Sequence, residues 1–582
     1  MEPSMAEKLV YPPPSNNPLF VAIPTYGLPT TRRRMKWKAI QIMSTFLYMG
    51  GILVLLGAIL KSLIKSKSRK QERPFQEEEN RRAQGRKQDE KAWKQRKVQS
   101  STGSPDIERD AEINDGFVPT EGGPDKFIVD TAYYAKRVGL DSEEVKVQTE
   151  DGHIIVLWHI YDPREYTPMT PEQRAVRGPE CIDNIRPPTR ARKSARFGKQ
   201  KYPVLMIHGL LQSAGVYVTN DEHSLAFWLC KLGYDVWLGN NRSGLKPEHV
   251  SLKPNDPSMW AWNIRHMGEL DLPALIARVL SETGFPQLAL IGHSQGTTQA
   301  LIALSKDQRP SMGAKISVFC ALAPAAYGGP LLNSKHFKFC RDISSSLFRK
   351  FFGIKGFMPI IGSFNAIQSL IPQNWIGAPS YVVYNYLFGW GDEKWDRGVR
   401  DRNFMFAPTY ISAEVMKWWL SSEGFAQHGC ILSTEEQWRR EDEEDALEDY
   451  YNQTPESRLS PNEANELLLK HENNPTLPNP WYDSQSPPMA FWVAGKDCLV
   501  DGKKLVNRFW RGREPHARVV HVNVLEDYEH LDVVWSCDVI EKVGTELRDV
   551  IWKTCNLRER ARAPKGCHDL QKRLDGRYDE KP

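Results

Sequence analysis

Gly292-His293-Ser294-Gln295-Gly296 fits the pattern G-x-S-x-G. It lies within residues 288–300, LALIGHSQGTTQA, where an apolar run of strand character gives way to a helical one. A sharp strand-to-helix turn strains the central serine and exposes its hydroxyl, and the flanking glycines let neighbouring backbone come close. The helix N-terminus behind it favours developing negative charge. Ser294 is therefore the candidate nucleophile. A serine hydroxyl is weak until a base takes its proton. With such an elbow, an acid and then a histidine follow at the ends of later strands. Asp497 follows the apolar run 489–493, with Asp501 as a competitor whose alternative role is a loop or helix cap. His530 follows the run 519–524 and is the candidate base. His153, His159, His223, His249 and His266 precede the serine, the wrong order for that role. His293 is expected to pack beside the serine and His208 to hydrogen-bond structurally. Acyl transfer also needs N–H donors for an oxyanion. The candidates are the backbone amides of Gln295, directly after the serine, and Leu210, in the early turn His208-Gly209-Leu210-Leu211.

These residues need a scaffold. Runs 144–149 and 153–160 are β-rich and separated by Glu150-Asp151-Gly152, a hairpin signal. From residue 203 short apolar strands (204–207, 235–238, 287–291, 316–322) alternate with helices (224–232, 271–282, 297–304). Asp271 is the expected N-cap of the second helix, with Gly284 past its end. This alternation implies an α/β fold with a mainly parallel sheet covered on both faces. It lapses between 330 and 485, a stretch rich in aromatics such as Phe348, Trp375, Tyr384, Phe388 and Trp390, and then resumes. The lapse reads as a helical cap or lid, whose aromatics form its core or wall an apolar tunnel.

Of 582 residues, 40% are hydrophobic and 26% charged, so a large core is possible. A mean hydropathy of −0.51 excludes a polytopic membrane protein but not a single segment. Residues 39–60 carry no charge and would reach about 33 Å as a helix, enough for a bilayer core of about 30 Å. The run starts late and lacks a small-x-small site, which argues for a retained anchor over a cleaved signal. Five Lys/Arg lie on each near flank, and the more basic C-terminal side favours a cytosolic body. A hairpin bending at Gly50-Gly51 is the alternative to a spanning helix. The net charge is +5, yet residues 32–38 carry +5 and residues 61–98 carry +8, leaving −8 elsewhere. Basic charge beside the apolar run, with an acidic body, points to a membrane surface and away from nucleic acid.

The expected organisation is a disordered tail (1–31), a basic flank and anchor (32–60), a charged solvated linker (61–126), the first part of the core (127–329), the cap (330–485), the second part of the core (486–550) and a polar tail (551–582). Residues 162–201 form a polar insertion read as a surface loop, with anionic lipid as a possible contact for its seven basic residues over 186–201. The acidic run 435–449 reads as solvated surface or disorder. Asn452-Gln453-Thr454 is a glycosylation sequon that matters only in a lumenal body, and Asn241-Arg242-Ser243 is expected to stay unused. There is no H-E-x-x-H, no G-x-x-x-x-G-K-[ST], and no G-x-G-x-x-G after a strand, so no metal or cofactor is expected. Nine scattered cysteines without a CxxC pair suggest reduced thiols.

Several stretches together resemble the acid lipase branch of the α/β-hydrolases: 147–160 (VQTEDGHIIVLWHI), 203–220 (PVLMIHGLLQSAGVYVTN), 224–244, 269–276, 292–297 (GHSQGT), 406–419 (FAPTYISAEVMKWW), 494–501 (AGKDCLVD) and 529–535 (EHLDVVW). The resemblance spans about 127–547 and implies an α/β-hydrolase fold. It implies the triad Ser294, Asp497 and His530, and the oxyanion donors Leu210 and Gln295. Ala494-Gly495 departs from the more usual Gly-Gly. The N-terminal anchor is similar to membrane-anchored fungal steryl ester hydrolases. The implied function is hydrolysis of steryl esters at a membrane or lipid-droplet surface, with the endoplasmic reticulum and droplet favoured over the plasma membrane. A triacylglycerol lipase and an inactive membrane scaffold are the alternatives.

Overall fold

The computed structural model describes residues 17–27, 29–65, 73–101, 128–189, 199–242, 244–357, 374–452, 459–473 and 479–574. Among the described residues nine strands form one sheet: β1 (Asp141–Gln148), β2 (His153–Tyr161), β3 (Pro203–Ile207), β4 (Asp235–Gly239), β5 (Glu248–His249), β6 (Leu288–His293), β7 (Ile316–Leu322), β8 (Met489–Ala494) and β9 (Val519–Leu525). Their order is β1-β2-β4-β3-β6-β7-β8-β9, with β5 on β2. Strand β2 pairs antiparallel with β1, β4 and β5, and the pairs β4–β3, β3–β6, β6–β7, β7–β8 and β8–β9 are parallel. In β3, Val204 and Met206 join the core on one face while Leu205 and Ile207 join the core on the other. The helices Leu225–Leu232 and Thr545–Thr554 cover the first face, and Leu272–Thr283 covers the second. Burial on both faces is why the central strands β3, β6, β7 and β8 are almost wholly apolar rather than alternating. The chain steps outward from β3 to β4 on one side and from β6 to β9 on the other. Ligand sites in such sheets form where the winding reverses, beyond the strand C-termini.

The helix at Leu272 departs from expectation. A helical segment from Ile264 and a π-type turn over Met267–Asp271 run into it, so Asp271 is already helical and caps nothing with its side chain. Its carboxylate instead holds the buried Arg242, which contacts Asp271 at 2.9 Å and Asp151 of the β1–β2 turn at 2.7 Å and 3.1 Å. Burial pushes the Asp271 carboxyl up to about 6, against the opposing pull of Arg242.

The charged segments also differ from their reading. Residues 17–27, expected within a disordered tail, lie on the body: Leu19 and Phe20 are buried, Phe20 stacks on Trp418 at 6.2 Å, and Trp418 Nε1 donates to Leu19 O at 2.8 Å. Residues 1–16 of that tail lie outside the described residues. The apolar run sits in one helix, Thr31–Lys65, unbroken through Gly50-Gly51, so the structure has no hairpin there. Its polar members bond inward, Ser44 and Thr45 hydroxyls donating to Gln41 O at 2.9 Å and 2.8 Å. The linker is helical over Gln76–Ser101 and docked: Arg86 meets Asp396 at 2.7 Å and Arg82 donates to Cys537 O at 2.7 Å. Residues 66–72 and 102–127 of the linker lie outside the described residues. The acidic run is the helix Glu435–Tyr451, held by Arg508–Glu441 at 2.5 Å, Arg511–Asp449 at 2.5 Å and Arg513–Glu444 at 2.9 Å. The polar insertion buries Met169, Glu180 and Ile182 against the body, and its residues 190–198 lie outside the described residues. The C-terminal segment buries Ala561 and Cys567, and Arg562 N donates to Gln200 O at 2.7 Å. Met358, Ile360 and Ile361 of the cap, and Gln453 and Thr454 of one sequon, lie outside the described residues. Asn241 of the other sequon is buried, its Oδ1 accepting from Gln299 at 3.1 Å.

Removing Arg242 would leave two buried carboxylates facing each other without their shared cation. Arg242→Ala is expected to lower unfolding free energy by about 3–5 kcal/mol, read from the shift of the chemical unfolding midpoint.

Candidate active site

The serine elbow follows from crowding. Strands β3 and β6 are neighbours in parallel register, with Ile207 opposite Gly292, so the turns after them start side by side. A Cβ on Gly296 would stand 2.6 Å from Ile207 O and 2.9 Å from His208 O. One on Gly292 would stand 2.9 Å from Gly296 backbone, and one on Gly209 3.1 Å from Ser294 Cβ. Glycine at 209, 292 and 296 is what lets the two turns meet. Ser294 itself has φ 52° and ψ −119°, an arrangement that costs about 1–3 kcal/mol and persists because the helix Gln295–Leu304 and strand β6 fix both sides of it.

His530 comes from the turn after β9. Its Nε2 lies 2.8 Å from Ser294 Oγ and its Nδ1 lies 2.6 Å from Asp497 Oδ2. An ionised carboxylate only accepts, so Nδ1 carries the proton and Nε2 is left to accept from the hydroxyl. Asp497 is itself oriented, its other oxygen accepting from the amides of Leu499 at 2.9 Å and Val500 at 3.2 Å. Asp501 is spent elsewhere: it caps the helix Gly502–Trp510, accepting from Lys504 N at 2.9 Å. The structure thus brings Ser294, Asp497 and His530 into one hydrogen-bonded line and leaves Asp501 out of it.

The expected oxyanion donors face no protein acceptor. Among the described residues the amides of Leu210 and Gln295 donate to nothing, while Gly209 N donates to Gln212 Oε1 at 3.3 Å. The Gln295 side chain is held by Trp419, whose Nε1 donates to its Oε1 at 2.9 Å.

The other histidines hold structure. His208 contacts Gly209 O at 2.8 Å through Nδ1 and accepts from Asn241 N at 3.3 Å through Nε2; burial pushes it down to about 4. His293 donates to His530 O at 3.3 Å, and burial, with His530 nearby, pushes it down to about 3. Both are neutral at pH 7. His159 lies between Glu143 and Asp235 at 3.2 Å and 2.7 Å, on the far part of the sheet.

The residues flanking His530 take roles that sequence reasoning did not assign. Glu529 accepts from Gly391 N at 2.6 Å, and Asp532 from Trp395 Nε1 at 2.7 Å. Burial pushes the Asp532 carboxyl up to about 7. The only sequence signal was their place in the quoted stretch EHLD beside the base. A cavity of about 690 Å³ opens behind this turn, lined by Arg73, Glu393, Lys394, Lys496, Asp527, Glu529 and Asp532. Its charged walls, without Ser294, do not suit an acyl chain.

Asn at 497 would keep the shape but disturb the imidazole tautomer. Asp497→Asn is expected to lower kcat by about 10⁴. Asp501→Ala should leave turnover near wild type and cost about 1 kcal/mol of stability through the lost cap. Ester hydrolysis and thermal unfolding of the two variants side by side check both.

Two family models match the chain: the partial alpha/beta-hydrolase lipase region over residues 131–221 and the alpha/beta hydrolase fold over residues 202–317. Sterol esterase 2 of Saccharomyces cerevisiae is 34% identical over 430 residues, covering 72% of this chain and 71% of that protein. Gastric triacylglycerol lipase of Bos taurus is 27% identical over 421 residues, 70% of this chain and 87% of its own. Human lipase member K is 26% identical over 416 residues, 70% and 87% of the two chains. By sequence and fold together, the chain belongs to the acid lipase branch of the α/β-hydrolases and is a carboxylic ester hydrolase.

Proposed function

We propose that this chain is a membrane-associated serine hydrolase that cleaves steryl esters to free sterol and fatty acid in lipid storage and mobilisation. The observation that carries the substrate is the 34% identity to a protein named sterol esterase over 72% of the chain. The chemistry rests on the unbroken hydrogen-bond line from Asp497 through His530 to Ser294.

His530 Nε2 takes the Ser294 proton as Oγ attacks the ester carbonyl. Asp497 orients the imidazole and favours its charged form. The carbonyl oxygen gathers charge against the amides of Leu210 and Gln295, a contribution of about 10²–10³ in rate for each donor. His530 then protonates the departing alcohol, and water activated by the same nitrogen releases the fatty acid. No step calls for a metal or cofactor. Ser294 is 7% exposed, so the described chain around it must give way before a bulky ester reaches Oγ.

The helix Thr31–Lys65 supports membrane attachment, being long and apolar enough to cross a bilayer. Met35, Phe46, Leu53 and Val54 on it are each at least 67% exposed, an apolar surface that lipid would cover. An endoplasmic reticulum or droplet location fits a substrate that dissolves in those phases. The identity to gastric triacylglycerol lipases favours a second reading, triacylglycerol hydrolysis by the same groups.

Offered cholesteryl oleate and triolein in one emulsion, the protein is expected to turn over the steryl ester faster; preference for triolein would favour the second reading. Labelling by a fluorophosphonate should be lost in Ser294→Ala, and absence of labelling in the wild type would leave an inactive scaffold. Deleting residues 1–60 should release the protein from carbonate-washed membranes while sparing hydrolysis of a soluble short-chain ester. Retention of the deleted form in the membrane would refute the anchor.

A further inference from the structure

Two hydrogen bonds in the plane of the His530 ring leave one motion open. The ring can still turn out of that plane about its Cβ–Cγ bond, which swings Nε2 off the serine. One face of the ring meets Trp390, with centroids 5.1 Å apart and planes 10° apart. His293 approaches at 5.3 Å and 48°. Phe388 stacks in turn on Trp390 at 4.4 Å and 13°. Trp390 is 7% exposed, so little water reaches this stack.

We propose that Trp390, contributed by the cap, is a positioning residue that holds the His530 imidazole in plane. The proposal rests on the reading of His530 as the base for Ser294.

The loop carrying Trp390 is clasped to the turn carrying His530 on both sides. Gly391 N donates to Glu529, one residue before the base, at 2.6 Å. Trp395 Nε1 donates to Asp532, two residues after it, at 2.7 Å. Lys394 pairs with Asp527, and Cys537 N donates to Lys394 O at 2.8 Å. The loop is also tied to the arm that follows the apolar helix: Arg73 donates to Trp395 O at 3.0 Å and to Asp392 at 3.3 Å, and Arg86 meets both oxygens of Asp396 at 2.7 Å and 3.1 Å. A tryptophan that only walled a substrate pocket would need none of these ties to the base's own turn. A flat π face also favours the imidazolium that forms when His530 takes the proton. Planarity and area carry both effects, so phenylalanine should largely replace tryptophan and an aliphatic side chain should not.

The test uses the full-length protein in detergent, with a small fluorophosphonate and p-nitrophenyl butyrate, neither of which fills a sterol pocket. Trp390→Ala is expected to slow phosphonylation of Ser294 about tenfold, or about 1.4 kcal/mol of barrier, and to lower kcat similarly with KM within about twofold. Trp390→Phe should stay within about threefold of wild type. Trp390→Leu, which fills space without a flat face, should match Trp390→Ala and serves in its place if that variant does not fold. Wild-type labelling rates in Trp390→Ala or Trp390→Leu, with only KM raised, would make the residue a substrate wall and overturn the proposal. So would a Trp390→Phe protein that unfolds at the wild-type temperature yet is as slow as the aliphatic variants. Ser294→Ala separates the two levels: if it still labels, the serine reading fails and the positioning role falls with it.

Discussion

One imidazole with a partner on each nitrogen, at 2.6 Å and 2.8 Å, sets the tolerance for the rest of the molecule. A shift of about 1 Å at such a site costs about 10² in rate. The three groups sit 203 and 33 residues apart in sequence, so local structure cannot hold them. The sheet does. Strands β6, β8 and β9 end at one edge, β6 and β8 buried on both faces and β9 half-buried beside β8, and each turn leaves its strand at a fixed register. The glycines at 209, 292 and 296 then let the turns after β3 and β6 approach to distances that side chains there would crowd. The strain at Ser294 is tolerated because moving it would break the packing of β6 and the helix behind it together.

Much of this was legible in the sequence, and the reason is physical. Strands buried on both faces must be apolar throughout, so β3, β6, β7 and β8 stand out as short hydrophobic runs. The elbow needs glycine at specific places, so it leaves a spaced pattern. Asp497 was separable from Asp501 because only the former directly follows the strand. What was not legible was any interaction between distant charges. Asp271 looked like a helix cap because the cation that claims it, Arg242, lies 29 residues back. The linker and the acidic run looked solvated because their partners, Asp396 for one and Arg508, Arg511 and Arg513 for the other, are remote in sequence. A charge run read alone has no partner. Only the fold shows whether it has one.

The two docked charged helices are not equivalent in strength. Arg508 is almost fully enclosed and meets Glu514 at 2.8 Å as well as Glu441, so its pairing lies in a medium where charges interact strongly. Arg511 and Arg513 are each about 20% exposed and their acidic partners partly open to water, which weakens each pair to the scale of surface ion pairs. The acidic helix is therefore pinned at Glu441, where Arg508 meets it, and steered along the turns that follow. In the arm, Arg73 is 9% exposed against a nearly buried Asp392, and Arg86 is 20% exposed against a nearly buried Asp396. Here the carboxylates bear most of the desolvation, and they sit in the loop clasped to the turn of His530.

That distribution has a geometric consequence. The apolar helix Thr31–Lys65 packs across the cap helix Ser345–Phe352, close enough that a Cβ on Gly353 would lie 3.4 Å from Ser44 Oγ. The arm that follows it grips the cap again at Asp392 and Asp396. The cap is thus held at two points by the segment that a membrane would hold, and it reaches His530 at a third. With the helix in a bilayer, cap movement that opens a path to Ser294 would be movement against that helix and that arm. Salt weakens exposed pairs more than enclosed ones, so the arm's grip, with its buried carboxylates, would persist at ionic strengths that loosen the ends of the acidic helix. The two charged elements that look alike in sequence therefore differ in what they restrain: one steadies the body, and the other links the apolar helix to the loop against the imidazole.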